Sequence, residues 1–80
     1  MSTEQEIHKE LDASGLECPM PLLRTKLALR DLSAGEVLKV IATDPGSARD
    51  IPRYIEMSPH QLLSADDDEH RYCFLIRKGE

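Results

Sequence analysis

The chain has 80 residues, a formal net charge of -5 and few aromatic side chains, two Tyr and one Phe. A chain of this length buries only about 60% of the surface that its unfolded form exposes, which argues against a large enclosed pocket and places any chemistry at the surface. The acidic balance and the scarcity of aromatic residues argue against general nucleic-acid binding, which needs a basic surface and platforms for stacking bases.

Residues 1–10 are polar, and no apolar run is long enough to span a membrane. We therefore expect a cytoplasmic protein in which Cys18 and Cys73 are reduced and form no structural disulfide. Residues 1–80 are expected to form one domain, with residues 1–6 frayed at its start.

The first half of the chain predicts a strand, a helix and a second strand. Apolar residues of one parity predict a strand over residues 7–13, and Ser14-Gly15 supplies a turn. A helix is predicted over residues 19–32, with a broad apolar surface that fits contact with both a sheet and a second helix. The residues at helical spacing on this surface are Met20, Leu23 and Leu27, with Leu22 and Leu29 on another arc. β-branched residues predict a central, largely buried strand over residues 36–43.

The second half predicts a helix and a hairpin. We expect a helix over residues 50–57, because a start near Asp50 places Pro52 in its first turn. Strands are predicted over residues 60–65 and 70–78, joined by the acidic residues 66–69 as a solvated hairpin loop. In the last strand the alternation predicts that Tyr72, Phe74 and Ile76 face the core.

The predicted order is β-α-β-α-β-β, an α+β two-layer sandwich with two helices packed on one face of a four-stranded mixed sheet. Its first strand, helix and second strand form a right-handed βαβ unit.

One stretch, Gly15-Leu16-Glu17-Cys18-Pro19-Met20-Pro21, combines a reactive side chain with an unusual backbone. Pro19 and Pro21 are tolerated together only at the start of a helix, so Cys18 is expected at or next to the N-cap. There the helix dipole and unpaired N–H groups favour the thiolate, whereas the neighbouring Glu17 carboxylate opposes it. We expect the helix terminus to dominate and to lower the pKa of Cys18.

The sequence resembles the TusA/SirA family of small sulfur carriers over about residues 8 to 78. The most specific element is Cys-Pro-x-Pro following Gly-Leu-x, that is Gly15, Leu16, Cys18, Pro19 and Pro21. The further residues that carry the resemblance are Leu11, Asp12, Met20, Gly35, Glu36, Leu38, Val40, Asp44, Asp50, Ile51, Pro52, Tyr72, Phe74, Ile76 and Lys78. The family usually has a glycine before the histidine at position 60, where this chain has Pro59.

The resemblance implies the same fold and a sulfurtransferase-type role for Cys18. In that family the motif cysteine carries a persulfide received from a cysteine desulfurase or a rhodanese and hands it to a thiol acceptor protein. The sulfur could serve tRNA thiolation, molybdenum cofactor assembly or sulfur metabolism. No cofactor is implied, and we expect a monomer, since a carrier must expose its cysteine to successive partners.

Arg24, Lys26 and Arg30 place a positive patch on the first helix of an acidic chain. The patch is either an ordinary solvated helix face or a docking surface for an acidic partner.

Metal binding is weakly supported, because no Cys or His pair has a zinc-knuckle spacing. Cys73, in mid-strand without a motif, is expected to serve packing.

A second hypothesis is a regulatory or RNA-binding module without sulfur transfer. A small β-α-β-α-β-β sheet also resembles the C-terminal RNA-binding domain of a bacterial translation initiation factor, although fold alone does not define function. The acidic composition counts against stable nucleic-acid binding.

Overall fold

The structure, a computed structural model, describes residues 7–79. The expected fraying of residues 1–6 lies outside this range. The elements are β1 (Lys9–Ala13), α1 (Met20–Arg30), β2 (Val37–Ala42), α2 (Pro45–Glu56), β3 (Gln61–Asp68) and β4 (Arg71–Arg77). The predicted order of strands and helices is confirmed.

The strands form one sheet in the order β1-β2-β4-β3. β1 and β2 are parallel, and β4 pairs antiparallel with both β2 and β3. A parallel pair needs a crossover connection, and here α1 provides it. The predicted mixed sheet is therefore correct.

The core lies between the sheet and the two helices. Alternate residues of the central strands point to one face, and both helices cover that face, as predicted. The buried members are Leu38 and Val40 from β2, Phe74 and Ile76 from β4, Ala28 and Leu29 from α1, and Ile51 and Ile55 from α2. Burial of each large apolar side chain stabilises the fold by roughly 1.5–3 kcal/mol.

The predicted start of α2 near Asp50 is wrong, because the helix begins at Pro45 with Asp44 as its N-cap. The Asp44 carboxylate accepts hydrogen bonds from the Ser47 N–H (2.9 Å) and the Ser47 hydroxyl (3.1 Å). Pro45 fits the first helical position, since its missing N–H would have had no partner there. Pro52 lies inside the helix instead of in its first turn.

The predicted acidic loop 66–69 is also wrong, because Asp66, Asp67 and Asp68 belong to β3. They pair with Cys73, Tyr72 and Arg71 of β4, so that Asp68 and Arg71 occupy facing positions in the register. Opposite charges on facing strands stabilise such a pair. The turn is reduced to Glu69 and His70, and Glu69 takes a positive φ of 59°.

No helix within residues 7–79 is both long and apolar enough to cross a membrane.

Candidate functional site

Cys18 lies near the edge of the sheet at which the parallel strands β1 and β2 end. Because β1 and β2 run in the same direction, their carboxyl ends meet at one edge of the sheet, which is where α/β sheets place their ligand sites. From β1 the chain passes through Cys18 into α1, and from β2 it passes through Asp44 into α2. The Gly15 N–H donates to the Thr43 hydroxyl at 2.9 Å and joins the two connections.

The loop from β1 to Cys18 is shaped by local hydrogen bonds. The Ser14 N–H donates to the Asp12 carboxylate at 3.0 Å, and hydrogen bonding from Ser14 lowers the pKa of Asp12. Gly15 follows with φ +82°, a conformation that a residue with a side chain adopts only under strain. The N–H of the half-buried Leu16 then donates to the Ala13 carbonyl at 3.2 Å. The loop thus turns sharply and presents Cys18 at the surface.

The two prolines lie at the start of α1, as predicted. Pro19 is the N-cap and Pro21 falls in the first turn, so Cys18 directly precedes the N-cap. Pro21 is fully buried, and its carbonyl accepts a hydrogen bond from the Thr25 hydroxyl at 2.7 Å. The peptide bond between Cys18 and Pro19 is cis.

Cys18 is exposed, and its thiol donates a hydrogen bond to Asp50 Oδ2 at 3.2 Å. This bond raises the pKa of Cys18, with smaller contributions in the same direction from desolvation and from the charges of Asp50 and Asp44. The nearby Arg49 acts in the opposite direction. The carboxylates of α2 and its cap therefore make the thiolate of Cys18 less populated than that of an ordinary cysteine.

The expected stabilisation of the thiolate by the start of α1 is wrong. Pro19 and Pro21 have no N–H to offer, and the Met20 N–H already donates to the Glu17 carbonyl at 2.8 Å. The same prolines that fix the backbone thus leave two positions at the start of α1 without an N–H donor.

Asp44, Gly46 and Asp50 surround Cys18, and the sequence interpretation gave none of them a role there. Asp44 and Asp50 entered it only as part of the family resemblance. The pair Asp44-Pro45 was the available signal, since an acidic N-cap followed by proline marks a helix start. With α2 placed correctly, the parallel strands bring its first turns to the edge that carries Cys18.

The structure divides the predicted basic patch. All three residues are exposed on α1, but only the Lys26 ammonium lies over a ring, 4.9 Å from the centre of Tyr54 on α2. That distance suits a cation–π contact, so Lys26 joins the two helices. Within residues 7–79 none of the three forms an ion pair.

α1 contacts both the sheet and α2, as predicted, but Met20, Leu23 and Leu27, which were expected on that contact surface, lie on its exposed face. Met20, Leu23 and Leu27 are 39%, 44% and 54% exposed, at the helical spacing i, i+3, i+7. We call these three residues the α1 stripe. Arg24 lies beside the stripe and Arg30 at its far end, while its near end starts two residues after Cys18.

Cys73 is half-buried on the sheet face that the helices leave uncovered, opposite Ile41 and Asp66 in the register. Among residues 7–79 no three His, Cys, Asp or Glu side chains converge as metal ligands would.

These features define a small two-layer α+β protein that displays one motif cysteine at the carboxyl edge of its parallel strands. The family model described as Sulfurtransferase TusA matches residues 9–78. The sulfur carrier protein TusA of Allochromatium vinosum is 44% identical over 74 residues, which cover 92% of this chain and 97% of that protein. The crystal structure of a SirA-like protein from Desulfitobacterium hafniense superposes with a TM-score of 0.76 at 30% identity, covering 90% of this chain and 99% of that one. The chain belongs to the TusA family of sulfur carriers, and the resemblance inferred from the sequence is confirmed.

Proposed function

We propose that the protein carries sulfane sulfur as a persulfide on Cys18 and passes it to a thiol acceptor protein. The observation that carries the proposal is the position of Cys18, exposed at the meeting point of the two strand-to-helix connections in a chain of the TusA family. Gly15, Leu16, Pro19 and Pro21 act in this proposal as the rigid support that keeps the sulfur at the surface.

The chemistry is an exchange between sulfur atoms. The Cys18 sulfur attacks the outer sulfur of a donor persulfide, a new S–S bond forms on Cys18, and the S–S bond of the donor breaks. The donor cysteine leaves as a thiolate and takes up the proton that Cys18 has lost, so no external oxidant is needed. In the second exchange an acceptor thiolate attacks the outer sulfur on Cys18, and Cys18 becomes the leaving group.

The α1 stripe and the cations beside it are the proposed docking surface for the donor, a cysteine desulfurase or a rhodanese, and for the acceptor. Apolar side chains supply the buried centre of an interface, and the flanking Arg24 and Arg30 select a partner with carboxylates at its rim. Lys26 of α1 adds a third positive charge to this surface, and its ammonium lies over the Tyr54 ring of α2. The surface begins beside Cys18, so a partner bound there has its own sulfur within reach.

Intact-protein mass spectrometry tests the carrier role after incubation with a cysteine desulfurase and cysteine. We expect a gain of one sulfur atom that a reductant reverses, in the wild type and in Cys73→Ser but not in Cys18→Ser. Loading of Cys18→Ser at the wild-type level would contradict the proposal. Absence of loading from both a desulfurase and a rhodanese supplied with thiosulfate would favour a binding module without sulfur transfer.

A double charge reversal, Arg24→Glu with Arg30→Glu, tests the docking surface. We expect slower loading from the protein donor and unchanged loading from glutathione persulfide, which needs no docking. Arg77→Glu is the control for the matching single reversal Arg24→Glu, because Arg77 is also an exposed arginine and pairs with Val37 at the opposite end of the sheet. Equal slowing by the control would show a general charge effect and not a docking surface.

A further inference from the structure

The sulfur of Cys18 faces acidic groups contributed by α2. Asp50 Oδ2 accepts the thiol hydrogen bond at 3.2 Å, while Asp50 Oδ1 lies 3.8 Å from Arg49 Nε. Asp44, fixed by its two bonds to Ser47, adds a second carboxylate. Arg49 is the one cation found acting on the sulfur among the described residues, and its side chain is 79% exposed. The surroundings of the sulfur are therefore net acidic.

Such surroundings oppose the first step of sulfur transfer. The nucleophile in a thiol exchange is the thiolate, and a neighbouring carboxylate disfavours a second negative charge. Only the protonated sulfur can donate a hydrogen bond to Asp50, so the contact itself selects the thiol. Pro19 and Pro21 have no N–H to offset this effect, and the raised pKa of Cys18 follows from the same contact with Asp50.

The Asp50 carboxylate that accepts the Cys18 hydrogen bond is accessible to a partner protein. The Asp50 side chain is 30% exposed, and Arg49 shows that a guanidinium can approach its second oxygen. A stronger cationic partner for the carboxylate would replace the thiol as its main contact and would also stabilise the thiolate directly. A donor protein that carries an Arg or Lys beside its persulfide would fit this position.

We propose that Asp50 is a positioning residue that holds Cys18 of the free carrier as a hydrogen-bonded thiol, and that a cationic side chain of the sulfur donor releases it on docking. The inference rests on the proposed carrier function for its second half only. In the free carrier the restraint slows reaction with stray disulfides and alkylating molecules. In the complex the freed Cys18 sulfur attacks the outer sulfur, and its proton ends on the departing donor cysteine.

The restraint is tested by the rate of Cys18 alkylation with iodoacetamide, an uncharged reagent, as a function of pH. The variants are made in a Cys73→Ser background so that Cys18 alone reacts. We expect Asp50→Asn to raise the rate several-fold at neutral pH and to shift the pH profile toward lower pH. Asp50→Ala serves as a second variant, and thermal unfolding identifies either one that fails to fold.

Glu17→Gln is the matched control, because it removes a carboxylate adjacent to Cys18 in sequence that makes no side-chain bond to the sulfur. It should leave the pH profile close to that of the parent. An unshifted profile in folded Asp50→Asn and Asp50→Ala, or an equal shift in Glu17→Gln, would overturn the proposal.

The release is tested by sulfur loading from two donors. We expect Asp50→Asn to load faster than the parent from glutathione persulfide, whereas the advantage should vanish with a cysteine desulfurase, whose own cation has already neutralised Asp50. An equal advantage with both donors would refute release by the partner. Absence of sulfur gain in every protein would overturn the carrier function itself, while the alkylation profile would still decide the role of Asp50.

Discussion

Gly46, in the first turn of α2, lies against the side chain of Cys18. A Cβ added at position 46 would be 3.5 Å from Cys18 Cβ, 3.9 Å from Cys18 Sγ and 3.1 Å from Asp44 Oδ2. The first two distances are ordinary contacts, and the third is tight. A residue without a side chain therefore keeps both the sulfur and the capping carboxylate free of steric crowding.

A graded series at position 46 should report on access to the sulfur. Gly46→Leu is expected to slow iodoacetamide alkylation and desulfurase loading, because its side chain extends over Cys18 Sγ from a Cβ that is already in contact. Gly46→Ala should have a smaller effect, since its side chain ends at that contact. Second-order rate constants measure the series, and a folded Gly46→Leu that reacts at the wild-type rate would contradict it.

At the scale of single residues the sequence predicted the cysteine but not its environment. The motif placed Cys18 next to a helix start, and the structure agrees. The side chains that set its reactivity, Asp50 and Asp44, are more than 25 residues away along the chain, and only the parallel pairing of β1 and β2 brings them together. Glu17 was predicted to act on Cys18 because it is adjacent in sequence, whereas the carboxylates found to act on the sulfur are adjacent to it only in space.

Among the elements, α2 depends on its cap and its buried face. Proline in a helix interior removes a hydrogen bond, so α2 carries a cost at Pro52 that its other interactions must offset. Asp44 satisfies the Ser47 N–H at its start, and the buried Ile51 and Ile55 anchor it to the sheet. These interactions explain why α2 begins at Pro45, earlier than predicted, although Pro52 then lies in its interior.

Removal of the cap should therefore be measurable. We expect Asp44→Ala to lower the free energy of unfolding by about 1 kcal/mol, because the Ser47 N–H loses its acceptor. Asp44→Asn keeps an oxygen in place and should lose less. Urea unfolding followed by circular dichroism gives both values, and equal losses for the two variants would show that the charge matters more than the hydrogen bond.

α1 offers a direct comparison between two leucines of one helix. Leu29 is 1% exposed within the core, whereas Leu27 is 54% exposed on the α1 stripe. The spacing of the leucines could not show which of the two is buried. Apolar residues lie on most sides of this helix, and those on the exposed face have the same helical period as those on the buried face.

We expect Leu29→Ala to cost about 2–5 kcal/mol in unfolding free energy, since it leaves a cavity in the core. Leu27→Ala should change that free energy by less than about 0.5 kcal/mol, since its side chain is already largely hydrated. Urea unfolding of the two variants checks the contrast. A large loss in Leu27→Ala would mean that the α1 stripe is not a free surface.

In the whole molecule, Cys18 lies at one end of the sheet, and the hydrogen bonds that connect several elements lie at the other end. Opposite Cys18, the residues after β4 bind three other elements. Lys78 exchanges backbone hydrogen bonds with Gly35 and Glu36 before β2, and its ammonium donates to the Leu29 carbonyl of α1 at 2.6 Å. The Gly79 N–H donates to His60 Nδ1 before β3 at 2.9 Å. The alternation of β4 predicted the strand, but not these contacts beyond its end, which depend on the relative positions of separate loops.

The hydrogen bond between Gly79 and His60 makes this end sensitive to pH. Burial, followed by the charge of Lys78, lowers the pKa of His60 from its ordinary value of about 6.5. Between the lowered pKa and 6.5 the unfolded chain binds more protons at this site than the folded one, so stability rises with pH across that window. Acidification through the window should therefore destabilise the protein, because a protonated Nδ1 can no longer accept the Gly79 N–H.

His60→Asn should flatten this dependence. The Asn side-chain oxygen can accept the Gly79 N–H in place of Nδ1, and it does not titrate. Urea unfolding free energies measured from neutral pH down to about pH 5 should fall less steeply in His60→Asn than in the wild type. His70→Asn is the matched control, since His70 is exposed in the hairpin turn, and it should keep the wild-type slope. If the wild type and His60→Asn lose stability in parallel, the acid sensitivity of the fold arises elsewhere than in the contact that anchors the residues after β4.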